Sequence, residues 1–332
     1  MKFRFILFVI LILSFIIAGC SQGGNNSSGK TQEDYSDYPE KSIELVVPYA
    51  PGGGTDTIAR TLAKHLPKHL PNEQSVTVIN KEGGGGVVGT TEFLKADPDG
   101  HEILLAPTEI FTNQPHFKDI PFDVESLAPV VKVATARQML LVQEDAPWTD
   151  YEEWLEHVKE NPGEFSYGVT AIGVTPHVAM EMLNEEAGIE SEPIPFGGVG
   201  PAKTELQGGH VDGVVGPISG SDEGTLRALF SFSGERGENS PDVPTLKEQD
   251  VDVELDVIQS LYAPKETPEE VRTIFHDAVK ATMEDEEFIE EFKSTELDLT
   301  YASGEDLKAE MESEFNRYGE IWEDLELPEE EE

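Results

Sequence analysis

Residues 43–56 read Ile43-Glu-Leu-Val-Val-Pro-Tyr-Ala-Pro-Gly-Gly-Gly-Thr-Asp56. The apolar, β-branched run from Ile43 to Val47 predicts a strand. The prolines and three glycines that follow predict a turn, because proline presets φ and lacks an N–H, while glycine takes backbone angles closed to other residues. Ile58, Ala59, Leu62, Ala63 and Leu66 then recur at helical spacing, and Pro67 predicts the end of that helix. Strand, glycine turn and amphipathic helix in this order form the unit of an α/β protein with a largely parallel sheet.

The pattern continues downstream. Residues 76–79 predict a second strand, followed by glycines 83–86 and a helix through Phe93 and Leu94. Asp97-Pro-Asp-Gly100 predicts a turn, and Ile103-Leu-Leu-Ala106 a third strand. Thr149-Asp-Tyr-Glu152 reads as a capping box opening a helix with Trp154, Leu155 and Val158. Thr175-Pro176 reads as an N-cap with proline at the first helical position, and Thr267-Pro-Glu-Glu270 repeats the device before Val271, Ile274, Phe275 and Ala278. The last helix is expected to carry Leu307, Met311, Phe315, Tyr318, Trp322 and Leu325 on one stripe, with acids over the rest and Pro328 at its end. No repeat of about 20–50 residues stands out.

Upstream, Lys2 and Arg4 precede an apolar run from Phe5 to Ile17 and then Ala18-Gly19-Cys20. A basic start, a short apolar segment and small residues predict an export signal. From Lys2 to Gly19, at ~1.5 Å per residue, the segment is marginal for a ~30 Å hydrocarbon core, which disfavours a permanent spanning helix. Residues 21–30, SQGGNNSSGK, predict a flexible tether. The 332 residues suggest two domains or one large one, and a 38% hydrophobic, 8% aromatic composition suffices for a sizeable core. Charge is the outlier: 66 acids against 23 bases give −43 and a pI near 4.3. Nucleic acid is excluded as a partner, since an anionic polymer meets repulsion and no basic stripe exists to release counterions. A single cysteine excludes an intrachain disulfide framework and a zinc site of paired cysteines.

Chemistry is sought first at the glycine clusters. Gly84, Gly86 and Gly89 satisfy the dinucleotide pattern G-x-G-x-x-G between a strand and a helix, although a run of four glycines meets many patterns, and the P-loop lysine is missing because Thr90 follows Gly89. The reading common to such patterns is that glycine lets the backbone approach a ligand while a helix N-terminus offers N–H groups and partial positive charge to an anion. Residues 51–56, 173–177 and 197–200 offer three more such N-termini; each is also compatible with a tight β–α turn alone. His65 and His69 are four apart as in a zinc helix, but Pro67 lies between them and no glutamate follows His65, so no metal site is expected. Ser219 lacks a nucleophile elbow, and acidic pairs such as Glu152-Glu153 and Glu290-Glu291 read as solvated helix faces. No nucleophile, base and orienter come together, so no enzyme and no cofactor are expected. His177 is the one histidine placed in a site, as a donor orienting a loop or ligand.

Two resemblances sharpen these expectations. Cys20 after Ile17-Ala-Gly19 resembles the bacterial lipobox, with isoleucine where leucine is commonest. It implies a lipoprotein signal peptide over 1–19, acylation of Cys20, and a lipid-anchored flexible tether over 20–38 on the outer face of the cytoplasmic membrane. From about Pro39 to Trp322 the chain resembles the extracytoplasmic solute receptors of tripartite tricarboxylate transporters, the Bug family. The stretches that carry the resemblance are residues 43–56, Val78-Ile-Asn80 with its glycines, Asp97-Pro-Asp-Gly-His-Glu-Ile-Leu-Leu105, Asn161-Pro-Gly-Glu-Phe-Ser-Tyr-Gly168, Thr175-Pro-His177, Leu206-Gln-Gly-Gly-His-Val-Asp212 and Pro241-Asp-Val-Pro-Thr245, in the family's order.

The resemblance implies a two-lobed periplasmic-binding-protein fold of type II, with two crossing strands as hinge near residues 130–142 and 255–263. Lobe 1 is then 39–137 plus 260–327, lobe 2 is 138–259, and 328–332 is an acidic tail. It implies a monomer that captures a small carboxylate, does no chemistry, and delivers it to integral-membrane permease subunits. The implied ligand contacts are Tyr49, Gly53, Gly54, Thr55 and Asp56, then Thr108, then Thr170, Thr175 and His177, then Gly197 and Gly198, with main-chain N–H groups and hydroxyls rather than an arginine clamp holding the anion. Asp56 is equally suited to capping its own helix, and Asp212 to the fold alone.

The central loop reads Val169-Thr-Ala-Ile172 where serine, glycine and asparagine are usual, and Phe196-Gly197-Gly198 lacks the lysine often seen there. These departures point to one carboxylate anchor and a partly apolar ligand body rather than citrate. The alternatives are a sensing module for a membrane signalling partner and a nucleotide-binding enzyme. Without the leader, 21 bases face 66 acids, −45, which predicts a halophilic setting in which salt screens the field.

Overall fold

The computed structural model describes residues 35, 37–218, 222–295 and 297–325. Cys20 with the leader, most of the tether, Ser219 and the acidic tail lie outside the described residues.

β1 (Ile43–Val47) buries Ile43, Leu45, Val46 and Val47 and lies between two parallel partners, β2 (Val76–Asn80) and β3 (Glu102–Pro107). β4 (Leu127–Ala136), β10 (Val257–Pro264) and β11 (Asp298–Ser303) complete the sheet in the order β11-β4-β10-β3-β1-β2, and their pairings are antiparallel. A second sheet has the order β7-β6-β8-β5-β9, from β5 (Met139–Gln143), β6 (Phe165–Val169), β7 (Ser191–Pro195), β8 (Gly213–Gly216) and β9 (Leu226–Ser231). Here β6 is parallel to β7 and β8, while β5 is antiparallel to β8 and β9. The sheets are therefore mixed rather than largely parallel. Parallel pairing holds where a helix returns the chain, and antiparallel pairing enters with the strands that carry the chain between the sheets.

The first crossing lies within residues 130–142, while the second begins at Phe232, well before the expected 255–263, and reaches that window only at its end. The chain leaves the first sheet at Ala136 and enters the second at Met139; it returns through Phe232 and Leu255 to Val257. The two crossings are bonded side by side, with Phe232 N (2.9 Å) and Ser231 Oγ (3.2 Å) both donating to the Gln138 carbonyl. Two lobes follow, each with an apolar core: Val46, Phe93, Leu104, Phe111 and Tyr262 in the first, Trp154, Phe165, Tyr167, Leu183 and Phe230 in the second. The last helix, α10 (Gly304–Asp324), serves both. Leu307 and Met311 pack in the first core, and Tyr318, Ile321 and the following Leu325 in the second.

The first unit behaves as its residues dictate. α1 (Gly54–His65) follows the β1 turn, and Pro67 falls in a single 3-10 turn that ends it. The capping expectations are corrected by one residue each. α5 (Tyr151–Glu160) is capped by Asp150, whose carboxylate accepts from Glu153 N at 3.0 Å, while Glu153 reaches back to Thr149. α6 (Thr175–Ala187) takes Val174 as N-cap, and Thr175 is already helical. α8 (Glu269–Met283) takes Pro268, with Thr267 one residue outside. The remaining helices between these are α2 (Val87–Phe93), α3 (Glu109–Thr112), α4 (Gln114–Phe117) and α7 (Val199–Gln207), followed after α8 by α9 (Glu286–Phe292). Among the described residues no helix is long and apolar enough to cross a membrane.

Candidate functional site between the lobes

The loops that leave the carboxyl ends of β1, β2, β3, β6 and β7 carry the glycines and threonines singled out in the sequence, and in α/β sheets that end is where ligands bind. In the β1 loop, Gly52 takes φ +88°, a left-handed angle suited to glycine, and Gly53 caps α1 without any side-chain hydrogen bond. Gly53 and Gly54 are exposed, so the first turn of α1 offers main-chain N–H groups to the outside. Asp56 shapes this loop from beneath. Its buried carboxylate accepts from Gly52 N (2.8 Å), from Arg60 Nε (2.8 Å) and Nη2 (2.9 Å), and from Asn80 Nδ2 (2.9 Å), while Asn80 Nδ2 also reaches the Tyr49 carbonyl at 3.0 Å. Burial alone would raise this carboxyl, but the donors from Arg60, Gly52 and Asn80 hold it below its ordinary value. Thr55 hands its hydroxyl to Gln259 Oε1 (3.2 Å) on β10.

The β2 loop folds back on the β1 and β3 loops. Tyr49 Oη donates to the Gly85 carbonyl at 3.4 Å, and Gln114 Nε2 donates to the same carbonyl at 3.0 Å. Gly89 explains part of the G-x-G-x-x-G match: a Cβ there would stand 2.2 Å from the Lys81 carbonyl, so this glycine serves close helix–strand packing. Lys81, the cation of this loop, pairs with Glu92 at 2.9 Å.

Across the cleft, α7 begins at Gly198, again with no side-chain cap, and Gly197 N donates to the Thr170 carbonyl (2.9 Å), tying the β6 and β7 loops into one rim. The lobes meet at the start of α6. Thr175 N donates to Glu109 Oε2 of the first lobe at 2.8 Å, Thr175 Oγ1 shares a 2.8 Å hydrogen bond with Tyr318 Oη, and Asn113 Nδ2 donates to the Gly173 carbonyl at 2.8 Å. Trp322 Nε1 donates to Asn113 Oδ1 (2.7 Å), and its ring stacks on Phe117. Gly173 has φ +80°, and a Cβ there would lie 2.3 Å from the Phe117 ring, so only glycine allows this approach.

The chain matches the family described as "Tripartite tricarboxylate transporter family receptor" over residues 58–327. It belongs to that family. Among its relatives, a UPF0065 protein of Bordetella pertussis is 29% identical over 296 residues, 87% of this chain and 91% of the relative. A TctC solute binding protein from Polaromonas, solved without ligand, is 30% identical, covers 87% of this chain and 100% of its own, and has a TM-score of 0.70. MatC from Rhodopseudomonas palustris, solved with bound malate, has a TM-score of 0.76 at 23% identity over 86% of this chain and 100% of its own, a likeness of fold.

Within this tripartite tricarboxylate receptor, the expected residues sort into two groups. Gly53, Gly54, Gly197 and Gly198 sit at the uncapped helix starts, Thr170 on the second-lobe rim, and Tyr49 where the first-lobe loops converge, whereas Thr108 is buried with its hydroxyl donating to Glu314 Oε2 at 3.5 Å. Thr55, Asp56, Thr175 and His177, by contrast, spend their polar atoms inside the protein. His177 Nδ1 accepts from Gly173 N at 3.2 Å, so it orients the loop as an acceptor, not as the expected donor; burial depresses its pKa to about 4 and keeps it neutral. Thr175 does not cap its helix because it already lies inside the first turn, its N–H donating to Glu109 and its hydroxyl sharing a hydrogen bond with Tyr318.

Sequence reasoning missed Glu109, Asn113, Gln114 and Tyr318. An acid in the first turn of a helix ordinarily reads as a solvated charge favoured by the dipole, yet Glu109 is only 8% exposed. Its signal was position: Glu109 directly follows Thr108 and precedes the apolar Ile110-Phe111. Among the described residues no cluster of histidine, cysteine or acid suited to a metal ion occurs.

Proposed function

We propose that this receptor captures a small carboxylate between its lobes and delivers it to the integral-membrane permease subunits of a tripartite transporter. One observation carries the reading: the two helices that open onto the loops of opposite lobes, α1 and α7, both start on glycine with no side chain in the cap, leaving main-chain donors for an anion. The anion's contacts would be the N–H groups around Gly53 and Gly54 and around Gly197 and Gly198, with hydroxyls of Tyr49 and Thr170, while Thr108, bonded to Glu314, supports the β3 loop from behind. Asp56, Thr55, Thr175 and His177 hold these loops in shape.

Residues 39–137 with the chain after 260 would move as one lobe and 138–259 as the other, with α10 spanning them. Family membership supports solute capture rather than chemistry at this cleft. The leader pattern and Cys20 support export and a lipid anchor on the outer face of the cytoplasmic membrane. The partly exposed Ala171, Ile172 and Phe196 support a ligand with one carboxylate anchor and a partly apolar body.

Isothermal titration of the purified full chain with citrate and a series of monocarboxylates, in about 1 M KCl where surface charge is screened, tests this. Saturable heat with a monocarboxylate is expected. Submicromolar citrate binding overturns the single-anchor ligand, and no heat with any carboxylate overturns carboxylate capture itself.

A further inference from the structure

Glu109 is a carboxylate that the protein has placed where a bound carboxylate would be expected. It stands at the start of α3 in the first lobe, and its Oε2 accepts the N–H of Thr175, the first residue of the 13-residue helix α6 in the second lobe. That helix has no side-chain cap of its own, and the Glu109 carboxyl takes the place of one; burial raises the Glu109 pKa, while the hydrogen bonds from Thr175 and the helix N-terminus favour its charged form. Its neighbours come from the other cleft loops. Tyr49 of the β1 loop and Tyr318 of α10 both lie within its field: burial is the main cause that raises their hydroxyl pKa values, and Glu109 adds to it. No lysine or arginine occurs in the α3 segment 107–113 or in the 170–175 loop it meets.

We infer that Glu109 is a specificity-determining residue: it fills one anion seat of the cleft with the chain's own charge, so the receptor accepts monocarboxylates and discriminates against di- and tricarboxylates. A second ligand carboxylate directed at the α6 N-terminus meets a seat already taken, and like charges brought together away from water repel strongly. The α1 and α7 starts remain for a single anchor. This rests on the carboxylate reading above.

Glu109→Gln keeps the shape and, through Oε1, an acceptor for Thr175 N, but removes the charge. The experiment titrates butanoate, succinate and citrate into the full-length wild type and this variant at equal salt. Expected is a wild type that prefers butanoate to succinate by at least ten-fold, and a variant in which succinate gains about ten-fold while butanoate changes less than three-fold. Glu109→Asp, which keeps the charge, retains the wild-type preference. If Glu109→Gln fails to fold, Glu109→Ser, neutral and smaller, gives the same reading. A wild type that binds succinate or citrate more tightly than butanoate, or neutral variants with an unchanged preference, overturns the inference while leaving carboxylate capture intact. A wild type that binds none of a wider carboxylate series removes the capture reading, and this inference falls with it.

Discussion

Glu314 shows how far a single half-buried acid can depart from its surface chemistry. It lies on α10 behind the β3 loop, where Thr108 Oγ1 donates to its Oε2 at 3.5 Å. Burial first and the nearby Glu310 second raise its pKa to about 7, only partly offset by Lys132, Arg317 and Thr108. In the unfolded chain the same carboxyl titrates near its ordinary 4.5. Between those values the folded state binds the extra proton, so stability falls as pH rises through that window, and the full cost is present above about pH 7. Glu314→Gln mimics the protonated form. Urea unfolding is expected to show the variant more stable than wild type by on the order of 2 kcal/mol at pH 8, with the gain vanishing near pH 4.5. An equal effect at both pH values would mean that packing, not ionisation, controls this site. The residue scale is also where sequence reading fell shortest. Glu109 and Glu314 occur in a chain dominated by solvated acids, and nothing local distinguishes a buried glutamate from an exposed one until distant segments close over it. Asp56 was more legible, because a carboxylate two residues after a glycine run has the reach to accept the loop's N–H groups, as it does from Gly52.

At the scale of elements, local propensity placed strands and helices well and their first residues less well. Residues 43–47, 76–80 and 102–107 are strands because short β-branched runs between turn residues have no better use than a buried sheet. Helix starts depend on which donor meets which acceptor, and adjacent candidates compete. At residues 149–153 the sequence offers both Thr149 and Asp150 as caps; Asp150 prevails by accepting Glu153 N, and Glu153 in turn reaches Thr149 N and Oγ1 at 2.8 Å. Asp150→Ala is therefore expected to cost about 1 kcal/mol in thermal or urea unfolding, and Thr149→Ala a few tenths, because the alanine keeps the N–H that Glu153 accepts. The reverse order would restore Thr149 as the cap. At Thr175 the setting is tertiary: the residue has a capping side chain but lies inside the first turn, its hydroxyl bonded to Tyr318, some 140 positions away in sequence, which no window of local sequence contains. The glycine-marked starts of α1 and α7 were legible for the opposite reason, since with no side chain in the cap there is no competitor to misjudge.

The whole molecule is governed by its charge. A net −43 over 332 residues leaves most acids without a base, and the exposed faces of the C-terminal helices are crowded with acids such as Glu269 and Glu270 on α8, Glu286 on α9, and Glu305, Asp306 and Glu320 on α10. Several cations are already committed, Arg60 to Asp56, Lys132 to Glu310, Lys203 to Asp222 and Arg236 to Glu248, so counterions from solvent must balance the remainder. An exposed pair such as Arg236–Glu248 contributes about 0–1 kcal/mol, too little to offset a field of one sign. At ~0.1 M salt the Debye length is ~10 Å, longer than the spacing between neighbouring acids on a helix; at ~1 M it is ~3 Å, and each charge is nearly isolated. Stability should therefore climb steeply with salt. Between about 0.1 and 2 M KCl the melting temperature is expected to rise by roughly 5–10 °C, a few kcal/mol at ~2–4 °C per kcal/mol for a body of this size. Chloride is the right anion, because sulfate also strengthens apolar burial and would blur the cause. A melting temperature that stays flat across this range would mean that the acids are compensated within the fold, and the case for a high-salt setting would be lost. The same screening bears on capture: an anionic ligand diffusing toward this surface is repelled at low ionic strength, so its association rate should rise with KCl, opposite to the trend of receptors whose clefts attract anions with lysine and arginine.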